Sequence, residues 1–125
     1  MHSHHFIGVG LLSQRLKDGA ANHDSLIEDV SRIVEDCGLQ IVSRESVKFE
    51  NAGATLVWIL AESHLVIHLW TDEGFATIDL HVCDYQASNR DRAFRLKNAL
   101  SEFCFEMAEA NWHEFTLPQP TCAVR

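Results

Sequence analysis

The stretch "AESHLVIHLWTDEGFATIDLHVC", residues 61–83, decides the fold. Two apolar runs flank the acidic turn "TDEG" at 71–74, which is the pattern of a β-hairpin. With Trp70 and Phe75 as the last pair, an antiparallel ladder joins residues whose numbers sum to 145. His68 then meets Thr77, Val66 meets Asp79, His64 meets His81, and Glu62 meets Cys83. Side chains alternate between the two faces of a strand. Leu65, Ile67 and Leu69 therefore share one face with Ala76, Ile78, Leu80 and Val82, a surface for helices to cover. The other face takes Glu62, His64, His68, Trp70, Asp79, His81 and Cys83. Ser63 has the wrong parity for that polar face unless the strand breaks beside it. A strained Glu62–Ser63 peptide is then a place where backbone chemistry can begin.

Three readings of the polar face stay open on the residues alone. In the first it is a solvated or partner-covered surface whose histidines are satisfied. In the second His64, His68, His81 and Cys83 converge on zinc, which accepts nitrogen and sulfur donors, although their spacing matches no zinc signature. In the third a hydroxyl, a proton shuttle and an acidic thiol meet at one peptide bond, and the face is catalytic.

Working outward, "HFIGVGLL" (5–12) reads as a first strand made irregular by its glycines. "DSLIEDVSRIVEDCG" (24–38) places Leu26, Ile27, Val30, Ile33, Val34 and Cys37 on one helical face. Asp24 is its expected N-cap, and Gly38 sits where a helix stops. "LQIVSRESVKF" (39–49) and "TLVWILAES" (55–63) are β-rich and separated by the turn-like "ENAGA". "SNRDRAFRLKNALSE" (88–102) is a second helix with Ala93, Leu96 and Leu100 inward. "FCFEM" (103–107) alternates like a strand, and Pro118 and Pro120 mark a loose tail. Strands interrupted by two helices give an α+β fold: an antiparallel sheet with helices on one face.

A chain of 125 residues is expected to form a single domain, 1–125, with its own core. Its 46% hydrophobic and 22% charged residues are ordinary for a soluble protein. No run approaches the length of a membrane span, and the start "MHSHH" lacks signal-peptide features. Cys37, Cys83, Cys104 and Cys122 share no close spacing, which points to free thiols in a reducing cytoplasm. A net charge of −8 argues against a nucleic-acid partner and suits a cationic substrate.

At "ESHLVIHLW", "TDEG" and "FATIDLHVC" the sequence resembles the prokaryotic S-adenosylmethionine decarboxylases, a family of pyruvoyl enzymes. Weaker similarity runs from Gly38 through "FENAGAT" and into the second helix. The resemblance implies that the Ser63 hydroxyl attacks the carbonyl of Glu62. The chain then splits into residues 1–62 and 63–125, with a pyruvoyl group derived from Ser63. His68 matches the histidine that moves the proton in this processing, and Thr55 stands where a supporting serine is usual. The pyruvoyl ketone would form a Schiff base with the substrate amine and act as an electron sink, and Cys83 matches the proton donor. Phe49 aligns with an aromatic that stacks on adenine. Trp70 lines the same pocket or staples the hairpin against Phe75. Asp72 occupies the position of a family glutamate near the ribose, with Glu73 its neighbour, unless both are only a solvated turn. No metal is implied.

The implied reaction is decarboxylation of S-adenosylmethionine for spermidine synthesis. The implied assembly is a homodimer in which two sheets stack as an α/β/β/α sandwich with the sites at the interface. Departures cluster on the substrate side: Thr71-Asp72 replaces Pro-Glu, Asp84 replaces Gly, Asn51-Ala52-Gly53 alters a loop, and Val9 replaces an acidic residue. Relatives in the superfamily decarboxylate ornithine or arginine, and Glu50, Asp72, Glu73 and Asp84 would suit such cations as well. A non-enzymatic dimeric or zinc-binding domain is the alternative from another class.

Overall fold

The hairpin forms in the register that its alternation requires: Trp70 faces Phe75, and the pairs run on with a constant sum to His64–His81. The chain, described by a computed structural model over residues 2–18, 22–50 and 53–118, carries three helices and six strands. They follow in the order β1 (His2–Leu12), α1 (Gln14–Asp18), α2 (His23–Asp36), β2 (Ile41–Phe49), β3 (Gly53–Leu60) and β4 (Ser63–Trp70). The remainder is β5 (Phe75–Cys83), α3 (Arg90–Cys104) and β6 (Phe105–Pro118). One antiparallel sheet holds all six strands in the order β2-β3-β4-β5-β1-β6, so the fold is α+β.

One face of the sheet makes the core. Leu65, Ile67, Ile78, Leu80 and Val82 lie there with no more than 1% of their surface exposed, against Val30 and Val34 of α2 and Leu96 and Leu100 of α3. Each such Leu or Ile contributes roughly 1.5–3 kcal/mol from burial alone. Trp58, fully inside, donates its Nε1–H to the Ser31 hydroxyl at 3.0 Å, and Arg44 reaches the same oxygen at 2.9 Å. That hydroxyl in turn donates to the Ile27 carbonyl at 2.7 Å, so this buried polar group is satisfied.

Several boundaries differ from the sequence reading. Asn22, not Asp24, caps α2, and its side chain accepts the Ser25 N–H at 3.1 Å. The third strand ends at Leu60 because Ala61 and Glu62 turn the chain, so Ser63 opens β4 instead of closing β3. The first strand begins at His2 and stays in register with β5 through both glycines. Gly8 is there for space: a Cβ would stand 2.6 Å from the Trp112 ring, which lies over it. Pro118, expected in a loose tail, is the last residue of β6 and pairs with His2, whereas Pro120, Cys122, Asn51 and Ala52 lie outside the described residues. Helix α3 runs to Cys104, so only the second part of "FCFEM" is strand.

Candidate active site

The turn from Leu60 to Ser63 carries the candidate cleavage pair, Glu62 and Ser63. Leu60 and Ser63 pair across it, leaving only Ala61 and Glu62 to reverse the chain. At the second of these positions a left-handed backbone is needed, and Gly or Asn is preferred there. Glu62 takes that conformation instead, with φ at 62°. A residue with a Cβ is strained there by roughly 1 kcal/mol or more.

Glu62 is therefore in the turn, not in the ladder opposite Cys83 as the sum rule alone gives. The ladder with β5 ends at His64–His81. Beyond it the Cys83 N–H still points at β4, and the Ser63 hydroxyl accepts it at 3.0 Å. A side-chain oxygen has taken the place of a backbone acceptor. Ser63 keeps the parity of its buried partner Leu60, and it is the hydroxyl reaching across to the Cys83 N–H that joins the two residues at one corner, one bond after the Glu62 carbonyl.

Cys83 is fastened from several directions. It pairs with Ser3 of β1, and its carbonyl accepts the Asn89 side-chain amide at 3.0 Å. Next to it Asp84 accepts from the Asn89 backbone N–H at 2.8 Å and lies 2.9 Å from Nε2 of His4. Burial works to raise the Asp84 carboxyl, but the bonds from Asn89, His4 and the His2 backbone prevail and hold it below the ordinary carboxylate value. The Cys83 thiol is pushed above its usual value by burial first, then by the carboxylates of Glu62 and Asp84. It keeps its proton at neutral pH, which a proton donor requires. The sequence reading did not find His4 and Asn89. The signal available was the Asp84 that stands where the family has Gly.

The other expected residues collect at the far end of the same open face. Thr55 and His68 are cross-strand partners, with Oγ1 2.9 Å from Nδ1. Trp70 stacks on Phe75 at 4.6 Å, and a cleft of about 250 Å³ runs between Phe49, Gly53, Thr55, His68 and Trp70. Phe49 also walls a larger cavity of about 370 Å³ on the helix side, lined by Leu12, Leu26, Lys48 and Glu50 and away from Ser63. Asp72 and Glu73 are exposed in the turn beyond. Five steps along the strand separate Ser63 from His68, about 16 Å at the rise of a β-strand. Direct proton transfer needs contact near 3 Å. One copy of the chain thus holds two half-sites, Ser63–Cys83 and Thr55–His68–Trp70, that do not meet.

The histidines between them stack instead of converging: His5 lies on His81 at 4.2 Å, and His64 meets His81 edge-on at 5.0 Å. Among the described residues no group of three or more His, Cys, Asp or Glu could hold a metal ion, which leaves the zinc reading without a site. No helix among those residues is long and apolar enough to cross a membrane.

The family described as S-adenosylmethionine decarboxylase matches residues 13–114. An S-adenosylmethionine decarboxylase proenzyme of Symbiobacterium thermophilum is 42% identical over 64 residues, 51% of this chain and 48% of that protein. A proenzyme of the same name from Methanococcus aeolicus is 28% identical over 92 residues, 74% of this chain and 76% of its own length. The match thus spans about half of the first relative and three quarters of the second. Among solved structures, the adenosylmethionine decarboxylase of Aquifex aeolicus superposes with a TM-score of 0.71 at 19% identity, covering 100% of this chain and 95% of that one, which is a likeness of fold. With its sheet, its hairpin register and a family match over most of its length, the chain belongs to the S-adenosylmethionine decarboxylase family.

Proposed function

We propose that this chain cuts itself between Glu62 and Ser63 and then decarboxylates S-adenosylmethionine, yielding the aminopropyl donor of spermidine synthesis. One observation carries the reading: the Ser63 hydroxyl follows a glutamate forced to φ 62° and is held by the Cys83 N–H. Attack of Oγ on the Glu62 carbonyl carbon turns the peptide into an ester and releases the strained turn. The Cys83 N–H fixes the hydroxyl rotamer and stabilises charge on Oγ as its proton leaves. Elimination then separates residue 62 from 63, and hydrolysis with loss of ammonia leaves the pyruvoyl cap on the second chain.

The junction suits that group. Ser63 is half-buried at a strand start, with Cys83 beside it to hold a proton at Sγ. A pyruvoyl carbonyl supplies the electron sink that ordinary side chains lack when an amine-bearing substrate loses carbon dioxide.

The Thr55–His68 pair handles the processing proton, and the gap of about 16 Å supports its doing so for a second copy. The open face supports this, since Ile7, Val9, Leu11, Ile59, Phe115 and Leu117 are each at least 42% exposed there in the single chain. An apolar sheet face of this extent is a surface for association. Stacking two copies by a two-fold axis gives the α/β/β/α homodimer and lays the Ser63 end of one sheet on the His68 end of the other. Phe49 and Trp70 then receive the adenosine, with Asp72 and Glu73 at the rim. Three free thiols among the described residues suit the cytoplasm.

Ornithine and arginine are the second choice of substrate, favoured by the exposed carboxylates Asp72 and Glu73 in the turn that follows Trp70 of the cleft, with Glu50 on the helix-side cavity that shares Phe49. Asp84 does not add to them, being engaged by His4 and Asn89. Release of carbon dioxide from carboxyl-labelled S-adenosylmethionine, ornithine and arginine tests the reading. S-adenosylmethionine should be turned over best, and no release from any of the three refutes it.

A further inference from the structure

The open face holds one contact that the processing and substrate roles do not use. His81 Nε2 lies 3.3 Å from the Cys83 sulfur, two residues along the same face of β5. The ring packs against the stacked His5 on β1 and the edge of His64 on β4, with its Nε2 toward the thiol. His5 is in turn fixed by the Ser3 hydroxyl at 3.1 Å and by the parallel ring of Phe115 at 4.7 Å.

We infer that His81 is the relay that returns a proton to Cys83 after each turnover. The inference rests on the decarboxylase reading, because it concerns the step that follows donation by the thiol. Once Cys83 has given its proton to the substrate carbon, a thiolate remains 3.3 Å from Nε2. The Nε2–H bond of the imidazolium breaks, the S–H bond forms, and the neutral ring left behind recovers a proton at Nε2 from a buffer acid, so no electrons change hands. Burial, then His5 and His64, hold the imidazolium below its ordinary value, with Asp79 opposing them. The thiol stands above its own ordinary value, so transfer from His81 to the thiolate is downhill. The charged or titratable groups facing this pair are His5 on β1, His64 on β4, Asp79 on β5, Glu62 in the turn and Asp84 after the strand.

His81 touches the thiol and not the substrate, so it is a positioning and relay residue. The structural alternative is that its ring only packs between His5 and His64. His81→Phe keeps an aromatic ring for that packing but removes both nitrogens. The relay predicts that this variant lowers kcat by at least about tenfold with little change in KM. It also predicts that millimolar imidazole restores His81→Ala, with the rescue following the imidazolium fraction as pH is varied. A second readout does not depend on turnover. Alkylation of Cys83 in the full chain, located by peptide mass, should slow several-fold at neutral pH in His81→Phe, because the thiolate loses its partner.

Wild-type kcat in His81→Phe, an unmoved alkylation rate, or no rescue of His81→Ala by imidazole would each overturn the relay. Self-cleavage of each variant, seen on a gel, reports that it has folded, and if His81→Ala fails this check His81→Phe still decides through kcat and alkylation. If the wild type itself releases no carbon dioxide, the decarboxylase reading has failed. The alkylation rates then still decide whether thiol and imidazole are coupled.

Discussion

At residue 62 a glutamate occupies backbone space that suits glycine, one bond before the hydroxyl that the proposed cleavage needs. Glu62→Gly should therefore stabilise the uncleaved chain by about 1 kcal/mol while slowing its cleavage. Urea melts of the uncleavable Ser63→Ala background with and without the change would measure the first effect, and a time course on a gel the second. Cys83→Ala should still cleave but lose productive turnover, because the turn survives and the proton donor does not. The buried Cys104 gives the contrast: burial pushes its thiol up to about 12, so alkylating reagents at pH 8 should leave it untouched in the native state while Cys83 reacts. Of this corner, Ser63 and Cys83 were legible in the sequence because a long motif carries them. The φ of Glu62 was not, since nothing in the word Glu-Ser tells a turn from a strand. His4 and Asn89 escaped for a related reason. They act through Asp84, and their partnership exists only once β1, β5 and the start of α3 meet.

Elements with a clean period were read most closely, β1 and β2 were found as strands from their β-rich composition, and most of β6 was missed. The β4–β5 hairpin alternates strictly between buried and open positions, and its register followed from arithmetic. Helix α2 shows its apolar stripe for the same reason. Strand β6 is an edge strand with almost every residue after Phe105 at least partly exposed, so no two-residue period marks it. Its place is set by tertiary packing, with Trp112 lying over Gly8 and donating to Ser101 at 3.0 Å. Gly8→Ala should therefore drive a methyl into the indole and lower stability by about 1–3 kcal/mol, measured by urea denaturation. Ser31→Ala should cost a similar amount, roughly 1–3 kcal/mol, by leaving the buried Trp58 N–H without its acceptor. Helix α1, at five residues, is too short to carry a pattern of its own.

For the whole molecule, Ser63–Cys83 and Thr55–His68 lie at opposite ends of β4, and the proposed chemistry joins them only across the proposed dimer. A sequence lists Ser63 and His68 five positions apart and hides the 16 Å that a strand puts between them. Coexpressed Ser63→Ala and His68→Ala chains should then show cleavage of the His68→Ala chain, served by the intact histidine of its partner, while neither variant cleaves alone. Acid stability follows from Asp84, whose carboxyl is depressed in the fold. Its contribution is complete above the unfolded value, near 3.9, and is lost as pH falls through the lower folded value. Urea midpoints should accordingly drop below about pH 4, and less steeply in Asp84→Asn. The account as a whole turns on whether the chain breaks itself at one bond. Intact mass of the purified, denatured protein tests this most directly. The prediction is two chains, residues 1–62 and 63–125, the second opening with a pyruvoyl group and no free amine. A single species of 125 residues that keeps its serine after prolonged incubation would contradict it.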